Sequence, residues 1–184
     1  MSGNKYELIC YKVFSVKNGS KLALFKKMFL MDEENHLTDV AGVPPDYFSA
    51  DGQLWGNPLY DYDYMKKTKY AWWVHRIKHM SKLYDFIRID HFRGLDRYYE
   101  VDPDRTDAKV GEWIKVPSEQ LFNAIHQKAD KSRIIAEDLG IIDDGVRNLL
   151  KEVGYPGMKV LSFAFDGDCN NLHLPKFASF NSVC

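Results

Sequence analysis

The sequence is poor in cysteine and shows no spacing that would bind zinc. Its 184 residues include three cysteines, Cys10, Cys169 and Cys184, and no Cys-x-x-Cys motif. A disulfide framework and a structural zinc site are therefore both unexpected. His75 and His79 have the i, i+4 spacing of a helical metal site, but glutamate does not follow His75 as a His-Glu-x-x-His motif requires. We therefore expect no zinc site.

The sequence also lacks a charge excess and a long apolar run. Twenty-five basic and 26 acidic residues give a net charge of −1, which indicates neither a nucleic acid nor a membrane surface as partner. No run is apolar enough to cross a bilayer, and no secretory leader pattern is visible. These absences predict a cytoplasmic protein. The aromatic content of 14% suits a packed core and also suits sugar stacking.

The first part of the chain carries weak structural signals. A strand over residues 6–14 and a short helix over 22–29 are the best assignments, and we leave residues 1–28 as an unplaced segment before a domain over 29–184. Glycines and prolines predict a long loop over residues 29–57, and long ordered loops are usually functional. Apolar residues at helical spacing then predict one helix over residues 64–85.

Apolar runs and helical patterns alternate in the remainder. Strands are predicted at residues 86–90, 133–137 and 158–165. Between them we expect one helix with Ser118 as N-cap and another that starts near Asp143. The apolar faces of these helices consist of Leu121, Phe122 and Ile125 in the first and Val146, Leu149, Leu150 and Val153 in the second, which Gly154 and Pro156 end. This order predicts an α/β fold with parallel strands joined by helices.

Two architectures fit that order, a (β/α)8 barrel and a doubly wound sheet. The glycines of a phosphate-binding loop, typical of the second, are absent. Asp90 and Glu137 each close an apolar strand, and barrels carry catalytic residues at that end of their strands. We therefore expect part of a (β/α)8 barrel.

Asp90 and Glu137 are the candidate catalytic pair. Glycoside chemistry uses two carboxyl groups, one that attacks the anomeric carbon and one that protonates the leaving oxygen. Arg88 lies on the same strand face as Asp90 and favours its ionised form, whereas burial of Glu137 would favour the protonated form. Asp138 points to the other side and is not assigned. From these residues alone, a purely structural ion pair and a structural glutamate remain an open alternative.

Five runs occur together in one order along the chain. They are residues 40–49 (VAGVPPDYFS), 52–60 (GQLWGNPLY), 88–94 (RIDHFRG), 135–140 (IAEDLG) and 157–161 (GMKVL). With these runs, the region from residue 29 to 184 resembles the 4-α-glucanotransferases, also called amylomaltases or disproportionating enzymes.

The resemblance implies a retaining double displacement on α-1,4-glucans, malto-oligosaccharide or starch- and glycogen-type, in a barrel related to the α-amylases. It also implies that Asp90 is the nucleophile and Glu137 the acid/base, with no metal or organic cofactor. Substrate-binding roles fall on Arg88 and His91 beside the nucleophile, and on Gln53, Trp55 and Asn57 in a loop over the acceptor sugars.

The chain departs from the family pattern at both ends. A barrel of this type takes about 250 residues, and the three predicted strands match the fourth to sixth. The family's third catalytic acid, an aspartate directly after a histidine, has no counterpart because the sequence contains no His-Asp pair. We expect a fragment that is poorly stable and inactive alone. A hydrolase on the same fold and a non-catalytic glucan-binding remnant remain the alternatives.

Overall fold

The computed structural model describes residues 8–12, 26–46, 49–140 and 142–184, and only the backbone of the first range. Its helices are α1 (Tyr62–Lys67), α2 (Ala71–Leu83), α3 (Ser118–His126) and α4 (Asp144–Val153). Its strands are β1 (Leu8–Lys12), β2 (Val40–Val43), β3 (Gln53–Pro58), β4 (Phe86–Asp90), β5 (Arg97–Val101), β6 (Glu112–Lys115), β7 (Ile134–Ala136), β8 (Gly157–Met158) and β9 (Ser182–Val183). Short 3₁₀ turns cover Lys26–Met28, Phe92–Leu95, Lys131–Arg133, Leu161–Ala164 and Pro175–Phe177.

A parallel sheet in the order β1-β4-β7 forms the centre. Strand β4 pairs with both neighbours, and its Ile89 lies opposite Ala136 of β7. Ile87, Ile89 and Ala136 are almost fully buried, which explains the apolar runs that marked both strands. The prediction of parallel strands at 86–90 and 133–137 is confirmed, and the chain is α/β. The strand predicted at 6–14 is present as β1, and its other residues lie outside the described ranges.

A second, antiparallel sheet has the order β3-β2-β5-β6, and the prediction of a loop over residues 29–57 was wrong. Strand β2 pairs with β5 from far along the chain, with Val40 opposite Val101. Gly42 follows a bulge in β2, and a Cβ there would lie 2.9 Å from the carbonyl oxygen of Gln53. Glycine therefore marks close strand packing here, not a loop.

The helix predicted over residues 64–85 is two helices. Lys69 and Tyr70 separate α1 from α2 with φ values of 54° and 55°, a left-handed conformation that ends a helix. The Thr68 hydroxyl bonds to the carbonyl of Tyr64, and the Tyr70 N–H bonds to that of Met65. The break turns the Tyr70 side chain into the core, where its hydroxyl bonds to Gln120. The helix expected at 22–29 lies partly outside the described residues, and Lys26–Met28 forms a 3₁₀ turn.

The strand predicted at residues 158–165 is largely absent. Of the predicted range, Met158 alone belongs to a strand, β8, which pairs with β9, whereas Leu161–Ala164 forms a 3₁₀ turn. Side chains form hydrogen bonds with backbone groups that a neighbouring strand would otherwise pair with. His173 Nδ1 accepts from the Val160 N–H, and the Asn171 side chain donates to the Phe163 carbonyl. Phe165 is 81% exposed, so the apolar run marks no strand.

The two later helices bury their apolar faces in the same core as the parallel sheet. Helix α4 follows its prediction: the Asp143 side chain caps it through Val146 N–H, and Gly154 ends it with φ of 75°. Helix α3 buries its expected face, but Pro117 holds the N-cap position instead of Ser118, whose buried hydroxyl donates to the Leu95 carbonyl. The main core also contains large aromatic side chains, namely Tyr60, Trp73, Phe92, Phe122 and Tyr155. Within the described ranges, no helix has the length and apolarity needed to span a membrane.

Candidate active site

The two candidate acids lie at the carboxyl ends of adjacent parallel strands. Asp90 is the last residue of β4, and Glu137 directly follows β7. Since Ile89 is opposite Ala136, Asp90 and Glu137 occupy the next level of the same pairing. The Glu137 N–H donates to the Ile89 carbonyl at 2.9 Å and extends the ladder by one residue. Adjacent strands lie about 4.8 Å apart, so this register brings the two acids together.

Asp90 is held by a guanidinium. Arg88 Nη2 lies 2.8 Å from Asp90 Oδ1, and the two side chains are 23% and 21% exposed. Alternation along β4 places both side chains on one face, as the sequence predicted. Arg88 also donates to the Met158 thioether at 3.6 Å. The guanidinium thus lies between β4 and β8, where it pairs with the Asp90 carboxylate.

Glu137 is held by backbone donors. The N–H of His91 donates to its Oε2 at 2.6 Å, and the N–H of Leu139 donates to its Oε1 at 2.8 Å. Its carbonyl accepts from the Phe92 N–H at 3.0 Å. Both carboxyl oxygens and the main chain of Glu137 are therefore fixed, mostly by the segment that follows Asp90.

The surroundings of Glu137 favour its protonated form. Burial raises the pKa of this carboxyl, and the negative charge of Asp90 raises it further. The two backbone hydrogen bonds and the charge of Arg88 act in the opposite direction, but the pKa stays above its ordinary value. One acid paired with a guanidinium and one whose pKa is raised match the division between a nucleophile and a general acid.

His91 links the acids to a neighbouring loop. Its backbone is left-handed, with φ and ψ both 54°, which directs its N–H toward Glu137. Burial lowers the pKa of the imidazole to about 4, and the charge of Arg93 adds to this effect. The ring is therefore neutral at pH 7. It makes a T-shaped contact with the Trp55 ring, with ring centres 4.8 Å apart.

Strand β3 carries the three other predicted site residues. Trp55 packs against the ring of His91, the residue that follows Asp90 and binds Glu137 through its N–H. The Trp55 Nε1–H donates to Gln53 Oε1 at 3.2 Å. Gln53 is exposed and Trp55 is half-buried. Asn57 is half-buried opposite Ala41, and within the described ranges no hydrogen bond joins its amide to either acid. The structure thus brings six of the seven predicted residues into one connected group and leaves Asn57 beside it.

Two further residues border the site without having been assigned to it. Met158 contacts Arg88, and its N–H donates to Asp138 Oδ1 at 2.6 Å. A Cβ on Gly157 would lie 2.5 Å from the Asp138 carboxylate, so glycine permits this contact. The sequence signal was the 157–161 run, which carried part of the family resemblance and overlapped the strand predicted at 158–165. Among the residues that the structure describes, no group of three or more His, Cys, Asp or Glu side chains is arranged to hold a metal ion.

The sequence is similar to those of 4-alpha-glucanotransferases. A family model described as 4-alpha-glucanotransferase matches residues 13–184. The 4-alpha-glucanotransferase of Clostridium butyricum is 50% identical over 157 residues, which are 85% of this chain and 32% of that protein. The 4-alpha-glucanotransferase of Streptococcus pneumoniae strain TIGR4 is 42% identical over 171 residues, which are 93% of this chain and 34% of that protein.

The fold of this chain is also similar to that of a solved amylomaltase structure. The amylomaltase from Streptococcus agalactiae in complex with acarbose superimposes with a TM-score of 0.89 at 38% identity, over 95% of this chain and 36% of that one. The chain thus spans about a third of the length of the relatives that it matches, 32% and 34% for the two curated proteins.

Proposed function

Because the chain belongs to the 4-alpha-glucanotransferase family, we propose that it supplies the nucleophile and the acid/base of a retaining α-1,4-glucan transferase. Asp90 is the nucleophile and Glu137 is the acid/base. The observation that carries this assignment is the position of both carboxyl groups at adjacent strand ends, where Arg88 pairs with Asp90 and backbone N–H groups hold Glu137. The activity belongs to the full-length protein that contains these residues.

The reaction divides into two displacements. Asp90 attacks the anomeric carbon of the donor while Glu137 gives its proton to the leaving glycosidic oxygen, which releases one part of the glucan. Glu137, now ionised, takes the proton of an acceptor hydroxyl, and that oxygen displaces Asp90 from the anomeric carbon. Configuration is retained because the carbon is inverted twice. Glu137 ends protonated and Asp90 ends ionised, as at the start.

The strand register supports retention. Carboxyl groups about 5–5.5 Å apart favour a covalent intermediate, whereas inverting pairs need a wider gap for water. Asp90 and Glu137 stand at one level on strands about 4.8 Å apart, which suits the shorter separation.

The acceptor side of the site is assigned to β3. Trp55 offers an aromatic face, Gln53 and Asn57 offer amides for sugar hydroxyls, and His91 and Arg88 complete the substrate-binding set. The substrate is a malto-oligosaccharide or a starch- or glycogen-type α-glucan. Supporting this class, the matched amylomaltase structure is a complex with acarbose.

Two finer assignments belong to the same proposal. Strands β4, β7 and β8 are the fourth to sixth of a (β/α)8 barrel. The parallel pairing of β4 with β7, and the hydrogen bond from the Ala136 N–H to the Pro156 carbonyl before β8, support this order. A cytoplasmic location is supported by Cys169 and Cys184, two exposed free thiols that suit a reducing compartment.

The test incubates the full-length protein with maltotriose and resolves the products by chain length. A transferase yields a ladder with both longer and shorter oligosaccharides. Formation of only shorter products would instead identify a hydrolase. Asp90→Asn and Glu137→Gln should each abolish the ladder. Glucan binding without turnover in the unsubstituted protein would identify a non-catalytic remnant.

A covalent intermediate gives a direct second readout. A slow fluorosugar donor should label Asp90 in the unsubstituted protein, and peptide mass spectrometry locates the added sugar. Label on another carboxylate would refute the assignment of Asp90.

A further inference from the structure

Arg93 lies in the 3₁₀ turn that follows His91 and is largely buried by two other segments. Its Nη2 lies 3.0 Å from Asp143 Oδ2, and the Arg93 side chain is only 11% exposed. The guanidinium also stacks over the Trp113 ring on β6, 4.3 Å from the ring centre. Arg93 thus joins the loop after β4 to the antiparallel sheet and to the start of α4.

The same turn holds Glu137. His91 N–H donates to the Glu137 side chain and Phe92 N–H donates to its carbonyl, so Glu137 depends on the residues beside Arg93. Asp143 lies at the other end of the loop that begins at Glu137, six residues on since 143 − 137 = 6. A closed path therefore runs from Glu137 along its loop to Asp143, across to Arg93, and back to Glu137.

We propose that Arg93 and Asp143 are positioning residues that fix Glu137 relative to Asp90, an inference that rests on the proposed function. Neither side chain acts on the substrate. The pair joins the loops that follow the two acid-bearing strands and so limits the motion of one acid against the other. Displacement of a catalytic group by about 1 Å is enough to reduce turnover by about 10²-fold.

The geometry favours a guanidinium at residue 93. A planar group contacts the carboxylate at its edge and the indole at its face, which an ammonium cannot do at once. Asp143 remains ionised because hydrogen bonding from Val146 N–H and the charges of Arg93 and Arg97 outweigh burial, so that its pKa lies below the ordinary value.

Asp143 also caps α4, and a cap-only role is the competing explanation. Its Oδ1 accepts from the Val146 N–H at 3.1 Å, while Oδ2 faces Arg93. Asparagine caps helices about as well as aspartate but carries no charge. Asp143→Asn therefore keeps the cap and removes the ion pair. Arg93→Lys keeps the charge and loses the stacked plane, and Arg93→Gln loses both.

The experiment measures maltotriose disproportionation by the full-length protein and its variants. We expect Asp143→Asn and Arg93→Gln each to lower kcat by about tenfold or more while KM changes by less than about twofold, because substrate contacts persist. Arg93→Lys should recover only part of the loss. The double variant should be no slower than the worse single variant, since both changes break one contact.

A second readout does not need activity. Amide exchange of the His91 N–H should accelerate by about tenfold in Asp143→Asn and Arg93→Gln, because the hydrogen bond to Glu137 opens more often. The matched control is Arg105→Gln, which breaks an ion pair of similar length, 3.1 Å to Asp107, in the β5–β6 connection. It should change neither readout.

The outcomes separate the two proposals. Unchanged kcat and unchanged His91 exchange in Asp143→Asn and Arg93→Gln overturn the positioning role. Absence of transfer in the unsubstituted protein refutes the proposed function, and His91 exchange then still decides whether the pair holds Glu137.

Discussion

The backbone N–H of His91 donates to Glu137 Oε2 at 2.6 Å, so the residue after one candidate acid fixes the side chain of the other. The left-handed backbone conformation of His91, with φ of 54°, directs this N–H toward Glu137. The positions of the two acids are therefore coupled through the end of β4, the 3₁₀ turn that follows it and the end of β7.

Charge changes around Glu137 should shift its titration in opposite directions. Arg88 lowers and Asp90 raises the pKa of Glu137 through their charges. We therefore expect Arg88→Gln to move the titration midpoint of the Glu137 carboxyl to higher pH and Asp90→Asn to move it to lower pH. Carbon-13 NMR of the labelled carboxyl measures both. Shifts of the same sign in the two variants would contradict this electrostatic account.

Trp55 should affect the acceptor more than the donor. Trp55→Ala removes an aromatic face worth about 1–2 kcal/mol to a sugar, so we expect acceptor KM to rise roughly five- to thirtyfold, with more hydrolysis relative to transfer. Chain-length analysis against glucose release gives both values. Trp55→Phe is the control, because it keeps one six-membered aromatic ring while it loses the Nε1–H bond to Gln53. An unchanged acceptor KM in Trp55→Ala would assign the indole to packing alone.

His91 should make folding stability sensitive to acid. The pKa of the imidazole is about 4 in the fold against 6.5 in the unfolded chain. As pH falls, His91 therefore takes up a proton in the unfolded chain before it does so in the folded one. Its contribution to the free energy of unfolding is fully present above about pH 6.5 and is lost as pH falls toward 4. The loss at pH 4 is on the order of 3 kcal/mol, given about 1.4 kcal/mol per pKa unit.

His91→Asn isolates this contribution, since asparagine tolerates the left-handed backbone. Denaturant unfolding of both proteins at pH 7 and pH 4 should show the unsubstituted protein losing roughly 3 kcal/mol more than the variant over this interval. Parallel losses would show that His91 does not titrate between the two states.

Lys69 should be replaceable by glycine with a gain in stability. Its φ of 54° is unfavourable for a side chain by about 1 kcal/mol, and glycine removes that cost. We expect Lys69→Gly to raise the free energy of unfolding by up to about 1 kcal/mol, measured by urea denaturation. Lys78→Gly, at an exposed position inside α2, should lower it by about the same amount. Two changes of the same sign would show that the break between α1 and α2 is not strained.

The features that could be predicted from the sequence depend on residues that are close together along the chain. Strand β4 was visible from buried Ile87 and Ile89 on alternate positions, and α4 from its Asp143 cap and Gly154 end. The positions of Asp90 and Glu137 followed from the two short apolar strands that they close, β4 and β7, and the pairing of Arg88 with Asp90 followed from alternation along β4.

What could not be predicted depends on distant partners. The pairing of Val40 with Val101 joins segments about 60 positions apart, and neither strand has a strong pattern of its own. The left-handed break at Lys69 and Tyr70 contains no glycine or proline to signal it. At residues 158–165 the apolar pattern predicted a strand, but side chains of Asn171 and His173 took up its backbone groups.

The donor to Glu137 Oε2 belongs to the main chain, and this has a consequence for how the site tolerates mutation. Every amino acid except proline supplies an N–H at residue 91, so no other substitution there deletes the donor itself. A substitution there changes instead the preference for a left-handed backbone, the contact with Trp55 and the proposed contact with substrate. The orientation of the Glu137 side chain therefore depends on the backbone conformation at residue 91 more than on the side chain there. Any residue other than proline that adopts this conformation supplies the same donor.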